Sequence, residues 1–136
     1  MVTTIDAAGE LHGLTVSAFC SVSLAPPMVL ICIEKPPASH FAFLESRAFV
    51  VNILDESQSA LSDHFATPLP DKFIGLGYHS GIAGIPVLEN SLANLECRIR
   101  NNFDGGDHSI FVGEVELATV RDGKPLVYFQ GGYRTI

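Results

Sequence analysis

Residues 11–23 alternate two kinds of side chain at the two-residue period of a β-strand. One face of this predicted strand is apolar, and the other carries four hydroxyl groups around one aromatic ring. The hydroxyl face consists of Thr15, Ser17, Phe19, Ser21 and Ser23. An ordinary half-exposed strand carries charges on its wet face, whereas hydroxyls and a ring suit a polar, planar ligand. The alternative is a Thr- and Ser-rich strand that binds nothing.

Basic side chains are scarce, which narrows the groups that could bind an anion. Of the eight Lys and Arg residues, four lie on an alternating strand or beside a hairpin turn: Arg98, Arg100, Arg121 and Lys124. We interpret these four as solubilising charges. Lys35 ends an apolar run and is followed by Ser39 at a predicted helix start, where amides and a cation converge on an anion. A simple strand-end charge is the alternative for Lys35.

Two other places combine glycine with a side chain that could bind or react. Gly106 and Asp107 form a predicted turn that brings His108 to the first position of a long strand. A partly exposed, unpaired histidine is the alternative there. Two glycines also precede Tyr133 and Arg134, and a ring beside a cation suits a nucleotide. A frayed terminus is the alternative.

Several chemistries lack their sequence signatures. The chain has no G-x-G-x-x-G and no G-x-x-x-x-G-K-[ST], so neither a Rossmann dinucleotide site nor a P-loop is predicted. The five histidines form no H-x-H or H-E-x-x-H pattern and no Cys/His cluster, so no metal site is predicted. The absence of G-x-S-x-G makes hydrolysis a weak candidate.

The composition indicates which partners and compartment to expect. A net charge of −7 argues against nucleic acid and against an anionic membrane surface, since both require a basic patch. With 47% apolar and 17% charged residues, the polar side chains do not suffice to cover the surface, and self-association is expected. Three cysteines in apolar runs predict reduced core thiols in a cytoplasmic protein. Neither a transmembrane helix nor a signal peptide is expected.

Short strands must position most of these residues. The length fits one domain, residues 1–136, with about seven strands and two short helices. Because the strands follow one another through turns, an antiparallel barrel is favoured over a βαβ sheet. Six apolar residues, 28–33, predict a central strand that is buried on both faces. Residues 66–90 contain seven Gly and Pro and predict a long, functional loop.

Two helices are predicted between these strands. One begins near Ser39 and runs through Leu44. The other follows Asp55 and Gln58, which have capping-box spacing, and extends to about Phe65.

Taken in order, these stretches resemble the flavin reductase-like family. Its members are small NAD(P)H:flavin oxidoreductase components of two-component monooxygenases with an FMN-binding split-barrel fold. The resemblance rests on residues 13–23 with Pro26 and Pro27, residues 49–54, Phe65 with Ala66, Lys72 with Phe73, residues 106–108, and Gly132 with Tyr133. It covers essentially the whole chain.

The resemblance implies a mainly β fold, an antiparallel split β-barrel with two short helices. It also implies a site for FMN or FAD, with NADH or NADPH as co-substrate. The residues that would line the flavin are Thr15, Val16, Ser17, Ala18, Phe19, Ser21 and Ser23. Lys35 and Ser39 would hold its phosphate, and Phe49, Val51 and Asn52 would border the isoalloxazine ring. His108 as the catalytic residue, Tyr133 and Arg134 would look toward the nicotinamide.

The same resemblance implies a homodimer and a flavin-dependent monooxygenase as partner. The acidic balance favours NADH, because a 2′-phosphate calls for another cation. Two departures from the family are expected: the usual helix before the first strand is either absent or its start is displaced, and Cys20 stands where a hydroxyl residue is frequent.

Two alternatives to the reductase stay open at this stage. One is a flavin-binding protein without turnover, a carrier or a redox sensor. The other is an oxidase-type split barrel related to pyridoxamine phosphate oxidase, which is expected to need more basic residues for a second phosphate.

Overall fold

The computed structural model describes residues 1–36 and 38–136. Eleven strands and two helices occupy most of these residues. In chain order they are β1 (Val2–Ile5), β2 (Leu11–Leu14), β3 (Phe19–Leu24), β4 (Pro27–Glu34), α1 (Ala38–Glu45), β5 (Ala48–Ile53), α2 (Ser59–Ala66), β6 (Tyr78–Ser80), β7 (Pro86–Leu88), β8 (Ala93–Gly105), β9 (His108–Val120), β10 (Val127–Phe129) and β11 (Gly132–Arg134). The mainly β prediction with two short helices is confirmed.

Seven strands form one antiparallel sheet in the order β2-β1-β5-β8-β9-β4-β3. The two edge strands, β2 and β3, are consecutive in the chain and only residues 15–18 separate them. Because an extended residue spans at most about 3.6 Å, the ends of these edges lie within about 18 Å of each other. The sheet therefore curls into a barrel that stays split between β2 and β3, as predicted.

The barrel interior is filled mainly by side chains from its central strands. Val2, Ile31, Phe49 and Phe111 are fully buried there, and Phe43 of α1 covers one end. Every residue of β5 from Ala48 to Asn52 is buried, because β5 is covered on both faces. The centre of the sheet is thus closed to ligands, and binding has to take place where the barrel is split.

A second apolar cluster lies under α2. Phe65 is fully buried in it, together with Leu54 and Leu88. The ring of Phe65 packs edge-on against Phe73, with 5.1 Å between the ring centroids, and Phe73 packs against Tyr78. This cluster attaches the segment after α2 to the barrel.

Three details of the predicted elements are wrong. Residues 11–23 do not form one strand, because residues 15–18 leave the ladder between β2 and β3. The apolar strand β4 lies next to an edge and is buried on alternate residues only. Residues 66–90 are not all loop, because the short hairpin of β6 and β7 lies within them.

The cysteine prediction also needs correction, whereas the helix prediction holds. Cys97 is buried, but Cys20 is exposed and Cys32 is half-buried. The predicted capping spacing before α2 is realised, since Gln58 Oε1 accepts a hydrogen bond from the Asp55 amide at 2.9 Å. Among the described residues, no helix is long and apolar enough to cross a membrane.

Gly113 of β9 gives a direct test of this core. A Cβ at this position would lie 2.6 Å from Phe49 Cζ and 2.9 Å from Cys97 Cβ. Gly113→Ala is therefore expected to lower the free energy of unfolding by about 1–3 kcal/mol, the usual cost of overpacking. Urea denaturation checks this, with Thr119→Ala on the exposed end of β9 as control. Equal unfolding midpoints for Gly113→Ala and wild type would show that the packing is looser than described.

Candidate functional site

A cleft of about 1130 Å³ opens at the split of the barrel. Its walls are residues 9–18 on one side and residues 65–74, the end of α2 and the loop after it, on the other. Cys32, Glu34, Ser39 and His108 complete the lining. Pockets for small molecules usually measure about 300–1,000 Å³, so this cleft is large enough for two ligands side by side.

The backbone of residues 15–18 provides the main polar feature of the cleft. The Phe19 amide donates to the Ser17 carbonyl at 3.0 Å, and the Cys32 amide donates to the Ala18 carbonyl at 3.1 Å. The amides of Val16, Ser17 and Ala18, by contrast, have no acceptor within the part of the chain that the structure describes. Val16 is half-buried and Ser17 and Ala18 are exposed, so water satisfies these donors until a ligand replaces it. These three N–H groups are therefore available to a ligand that carries acceptors.

Thr15 and Ser17 differ in what their hydroxyls do. Thr15 Oγ1 donates to the Ser62 carbonyl at 2.5 Å, and its amide donates to the Phe65 carbonyl at 3.4 Å. Thr15 thus ties the segment to α2, and its hydroxyl is already used. Ser17 is exposed and lines the cleft, and its hydroxyl has no partner among the residues described.

The rest of the predicted hydroxyl face lies outside the cleft. Phe19, Ser21 and Ser23 belong to the edge strand β3, after the break in the ladder. These three residues therefore do not line the cleft that residues 15–18 line. Sequence alternation could not show this, because it assumed an unbroken strand.

Lys35 lies outside the lining of the cleft, whereas Ser39 belongs to it. The Lys35 ammonium contacts the Asp104 carboxylate and lies outside the lining of the cleft. This hydrogen bond holds the pKa of Asp104 below its ordinary value. Ser39, in the first turn of α1, does line the cleft. The expectation that Lys35 holds a phosphate is therefore not supported by its placement.

His108 lies at the cleft as the first residue of β9, opposite Glu34 of β4. Its Nδ1 is 2.7 Å from Asp107 Oδ1. This bond lowers the pKa of the Asp107 carboxyl. The turn itself is fixed by the Lys35 amide, which donates to the Asp107 carbonyl at 2.9 Å. The carboxylate thus orients the imidazole and leaves Nε2 for a ligand.

Phe49, Val51 and Asn52 are buried in β5, so their expected place beside a ligand ring requires correction. Phe49 and Asn52 have no exposed surface and Val51 has 3%. The side-chain oxygen of Asn52 is hydrogen-bonded twice: Oδ1 accepts from the Leu88 amide at 3.0 Å and from Asn94 Nδ2 at 2.8 Å. Strand β5 lies inside the sheet, and these residues stabilise the barrel.

Tyr133 and Arg134 also lie outside the lining of the cleft. The Tyr133 hydroxyl donates to Asp63 Oδ1 at 2.7 Å, and its ring packs edge-on against Tyr128. Arg134 is exposed and Nη1 donates to the Tyr133 carbonyl. Tyr133 thus ties the β10–β11 hairpin to α2, whereas Arg134 contacts only its own neighbour.

Sequence reasoning did not assign three residues that line the cleft, namely Cys32, Glu34 and Lys72. Cys32 and Glu34 are two apart on β4, so they share the face that meets the cleft. Sequence analysis did not show this pattern, because apolar residues occupy the neighbouring positions of β4. Lys72 lies in the loop after α2, and sequence analysis included it, with Phe73, in the family resemblance but assigned it no role.

One group of potential metal ligands forms at the β1–β2 turn. Ligand atoms of Asp6, Glu10 and His12 lie within 4.8 Å of one another. Asp6 Oδ1 accepts bonds from the amides of Ala8 and Glu10, and Oδ2 is 2.9 Å from His12 Nε2. These bonds lower the pKa of Asp6, with the His12 bond as the largest cause. They account for the arrangement as a turn that needs no ion.

Comparison with known proteins agrees with this fold. Residues 1–136 match the family model described as flavin reductase like domain. The chain therefore belongs to the flavin reductase-like family.

Named relatives and a solved structure support this membership. The reductase component of a 4-nitrophenol 4-monooxygenase/4-nitrocatechol 2-monooxygenase from Rhodococcus opacus is 42% identical over 97% of this chain and 72% of its own length. A flavin reductase (NADH) from Kitasatospora aureofaciens is 39% identical, over 98% of this chain and 72% of its own. The NADH:FAD oxidoreductase of Streptomyces globisporus C-1027, solved with NAD and FAD fragments, superimposes with a TM-score of 0.89 at 36% identity. That match covers 99% of this chain and 82% of that one.

The structural role given to Asn52 is testable. Asn52→Ala leaves the Leu88 amide without its acceptor and removes one of the two acceptors of Asn94 Nδ2, the other being the Leu88 carbonyl. Because each unsatisfied buried group costs about 1–3 kcal/mol, we expect a marked loss in the free energy of unfolding. Urea denaturation measures this loss, with the exposed Asn102→Ala as control. Wild-type stability together with weaker ligand binding in Asn52→Ala would instead place Asn52 at the ligand.

Proposed function

We propose that this chain is an NAD(P)H-dependent flavin reductase that passes a hydride from a nicotinamide to FMN or FAD. The observation that carries this proposal is the row of three unpaired amides at Val16, Ser17 and Ala18, on the wall of a large cleft. Membership of the flavin reductase-like family supports it. Relatives named as an NADH flavin reductase and an NADH-dependent FAD reductase support it further.

The residues of the cleft fit an isoalloxazine. The pyrimidine edge of that ring carries carbonyl oxygens and ring nitrogens, which need donors that are fixed in space. Three successive amides and the free Ser17 hydroxyl are such donors. The cleft volume of about 1130 Å³ leaves room for a second ring to stack on the first.

The chain has mainly to position two rings, because the bound flavin supplies the hydride acceptor. Amides aimed at the ring edge stabilise the negative charge that arises on reduction. They are fixed before binding, since the carbonyls of Ser17 and Ala18 and the hydroxyl of Thr15 already hold the segment. His108, oriented by Asp107, has Nε2 left to bind the carboxamide of the nicotinamide. No acid–base pair is required for this step.

We further propose that the reduced flavin serves a flavin-dependent monooxygenase. Several relatives are named as reductase components or subunits of such enzymes. A cytoplasmic location is consistent with three unpaired cysteines.

We also propose that the chain forms a homodimer. Large apolar side chains are exposed at the end of β3 and on the neighbouring end of β9: Val22 at 48%, Leu24 at 94%, Leu117 at 55% and Val120 at 74%. The register places the end of β3 beside the start of β4, where β9 runs past it. A second copy that covers this surface would remove apolar area from water.

A spectroscopic assay tests the activity. The purified protein should accelerate the oxidation of NADH, followed by nicotinamide absorbance, when FMN or FAD is added. A stoichiometric yellow complex that leaves NADH unoxidised would instead select the flavin carrier or sensor. Failure to bind either flavin would overturn the site altogether.

Two substitutions distinguish the residue proposed to bind the nicotinamide from the residue proposed to bind the flavin. His108→Ala should raise the KM for NADH about 10-fold, about 1.4 kcal/mol, and leave flavin affinity unchanged. Ser17→Ala should weaken flavin binding by roughly 0.5–1.5 kcal/mol, one net hydrogen bond. His79→Ala, on β6 and outside the cleft, is the control. An unchanged KM for NADH in His108→Ala would contradict the role given to this histidine.

The dimer is tested by sedimentation. Wild-type protein should sediment as a dimer and Leu24→Asp as a monomer, because a carboxylate cannot be buried unpaired in an apolar interface. Ile136→Asp is the matched control, since Ile136 is also exposed, at 73%, but follows β11, which pairs with β10 and not with the seven-stranded sheet. A Leu24→Asp variant that stays dimeric would show that another surface is used.

A further inference from the structure

The cleft contains a cation to which no role has been assigned. Among the residues that the structure describes, Lys72 is the only lysine or arginine in the lining. Three carboxylates, Glu10, Glu34 and Asp71, line the same cleft. Without Lys72 the cleft would repel anions, although flavin and nicotinamide nucleotides both carry phosphate.

Lys72 is one of four lysines and arginines that have no carboxylate partner among the described residues, and the other three, Arg47, Lys124 and Arg134, lie outside the lining of the cleft. Lys35, Arg98, Arg100 and Arg121 each lie within 4.0 Å of a carboxylate oxygen. Within the described ranges, 1–36 and 38–136, no carboxylate lies that close to Lys72. Its charge is therefore available to an anion from outside the chain.

The position of the ammonium group is nevertheless fixed. Lys72 Nζ donates to the Phe65 carbonyl at 3.2 Å and lies 5.8 Å from the centroid of the Phe65 ring. The Lys72 carbonyl lies 2.7 Å from His64 Nε2, which holds the backbone of the loop. An ammonium has three N–H groups, and only one is used here. The other two remain for a ligand, beside the carboxyl end of α2, where a cation is stabilised.

We propose that Lys72 binds the phosphate or pyrophosphate group of the nucleotide that enters the cleft. This assignment rests on the proposed function, since it presupposes a nucleotide there. It replaces Lys35, whose ammonium is paired with Asp104 outside the cleft. Partial burial lowers the pKa of Lys72, because it disfavours the charged ammonium. A bound anion opposes this effect, since it stabilises the charged form.

The competing interpretation is that Lys72 only latches the loop onto α2 through the Phe65 carbonyl. A latch would affect every ligand of the cleft equally. A phosphate contact would affect only ligands that carry phosphate. Riboflavin, which has the isoalloxazine ring but no phosphate, therefore separates the two.

Dissociation constants of riboflavin, FMN and FAD provide the test, measured for wild type, Lys72→Met, Lys72→Arg and the control Lys124→Met. We expect Lys72→Met to weaken FMN or FAD binding about 10-fold or more, as for loss of a charge-assisted hydrogen bond, with riboflavin unchanged. Lys72→Arg should retain most of the affinity, and Lys124→Met all of it. If instead the KM for NADH rises and flavin binding does not change, the assignment holds with the nicotinamide pyrophosphate as the anion.

Three results would overturn the assignment. An equal loss for riboflavin and FMN would show a latch. A loss in Lys35→Met with none in Lys72→Met would return the phosphate to Lys35. No effect of Lys72→Met on any ligand would leave the ammonium without a role in binding. Failure of wild type to bind any flavin is a separate result, because it overturns the proposed function itself.

Discussion

Four residues that join the two edges of one sheet determine where this protein can bind a ligand. Residues 15–18 connect β2 to β3, so the sheet has to curl until its edges almost meet. The connection cannot be part of the ladder, because it runs across the gap. The amides of Val16, Ser17 and Ala18 consequently have no acceptor among the described residues, and these donors lie at the cleft. The cleft and the donors in it thus have one common origin.

Charged side chains have different partners on the barrel surface and at the cleft. On the barrel surface, Arg98 and Arg100 pair with glutamates across the β8–β9 ladder. At the cleft, Asp107 is used to orient His108. The chain thus pairs half of its eight cations with carboxylates within the fold, and among the described residues Lys72 is the one lysine or arginine that lines the cleft. A chain with so few basic residues depends on where each one is placed.

Local sequence patterns predicted much of the fold because they act over short distances. The alternation in β8 and β9 and the turns between strands were sufficient to indicate an antiparallel barrel. The break at residues 15–18 was not predictable in the same way, because alternation continues through it in the sequence. Only closure of the sheet forces the chain out of the ladder. The same limit applies to Asn52, whose partners come from β7 and from Asn94.

Within the candidate site, the predicted residues that line the cleft come from the break itself, from α1 and from the start of β9. Ser17, Ala18, Ser39 and His108 line the cleft as expected. Lys35, Tyr133 and Arg134 do not line it. Lys35 pairs with Asp104, Tyr133 with Asp63 and Arg134 with the Tyr133 carbonyl. No sequence pattern predicts these contacts. Pairing of charges across the fold is a property of three-dimensional structure, and a single sequence gives little information about it.

Hydrogen exchange of the backbone amides with and without FMN tests the central claim most directly. If the unpaired amides bind the flavin, exchange at Val16, Ser17 and Ala18 slows strongly on addition of FMN, and residues 65–74 are protected with them. Protection confined to another surface, or unchanged exchange at residues 16–18 with FMN bound, would contradict the account.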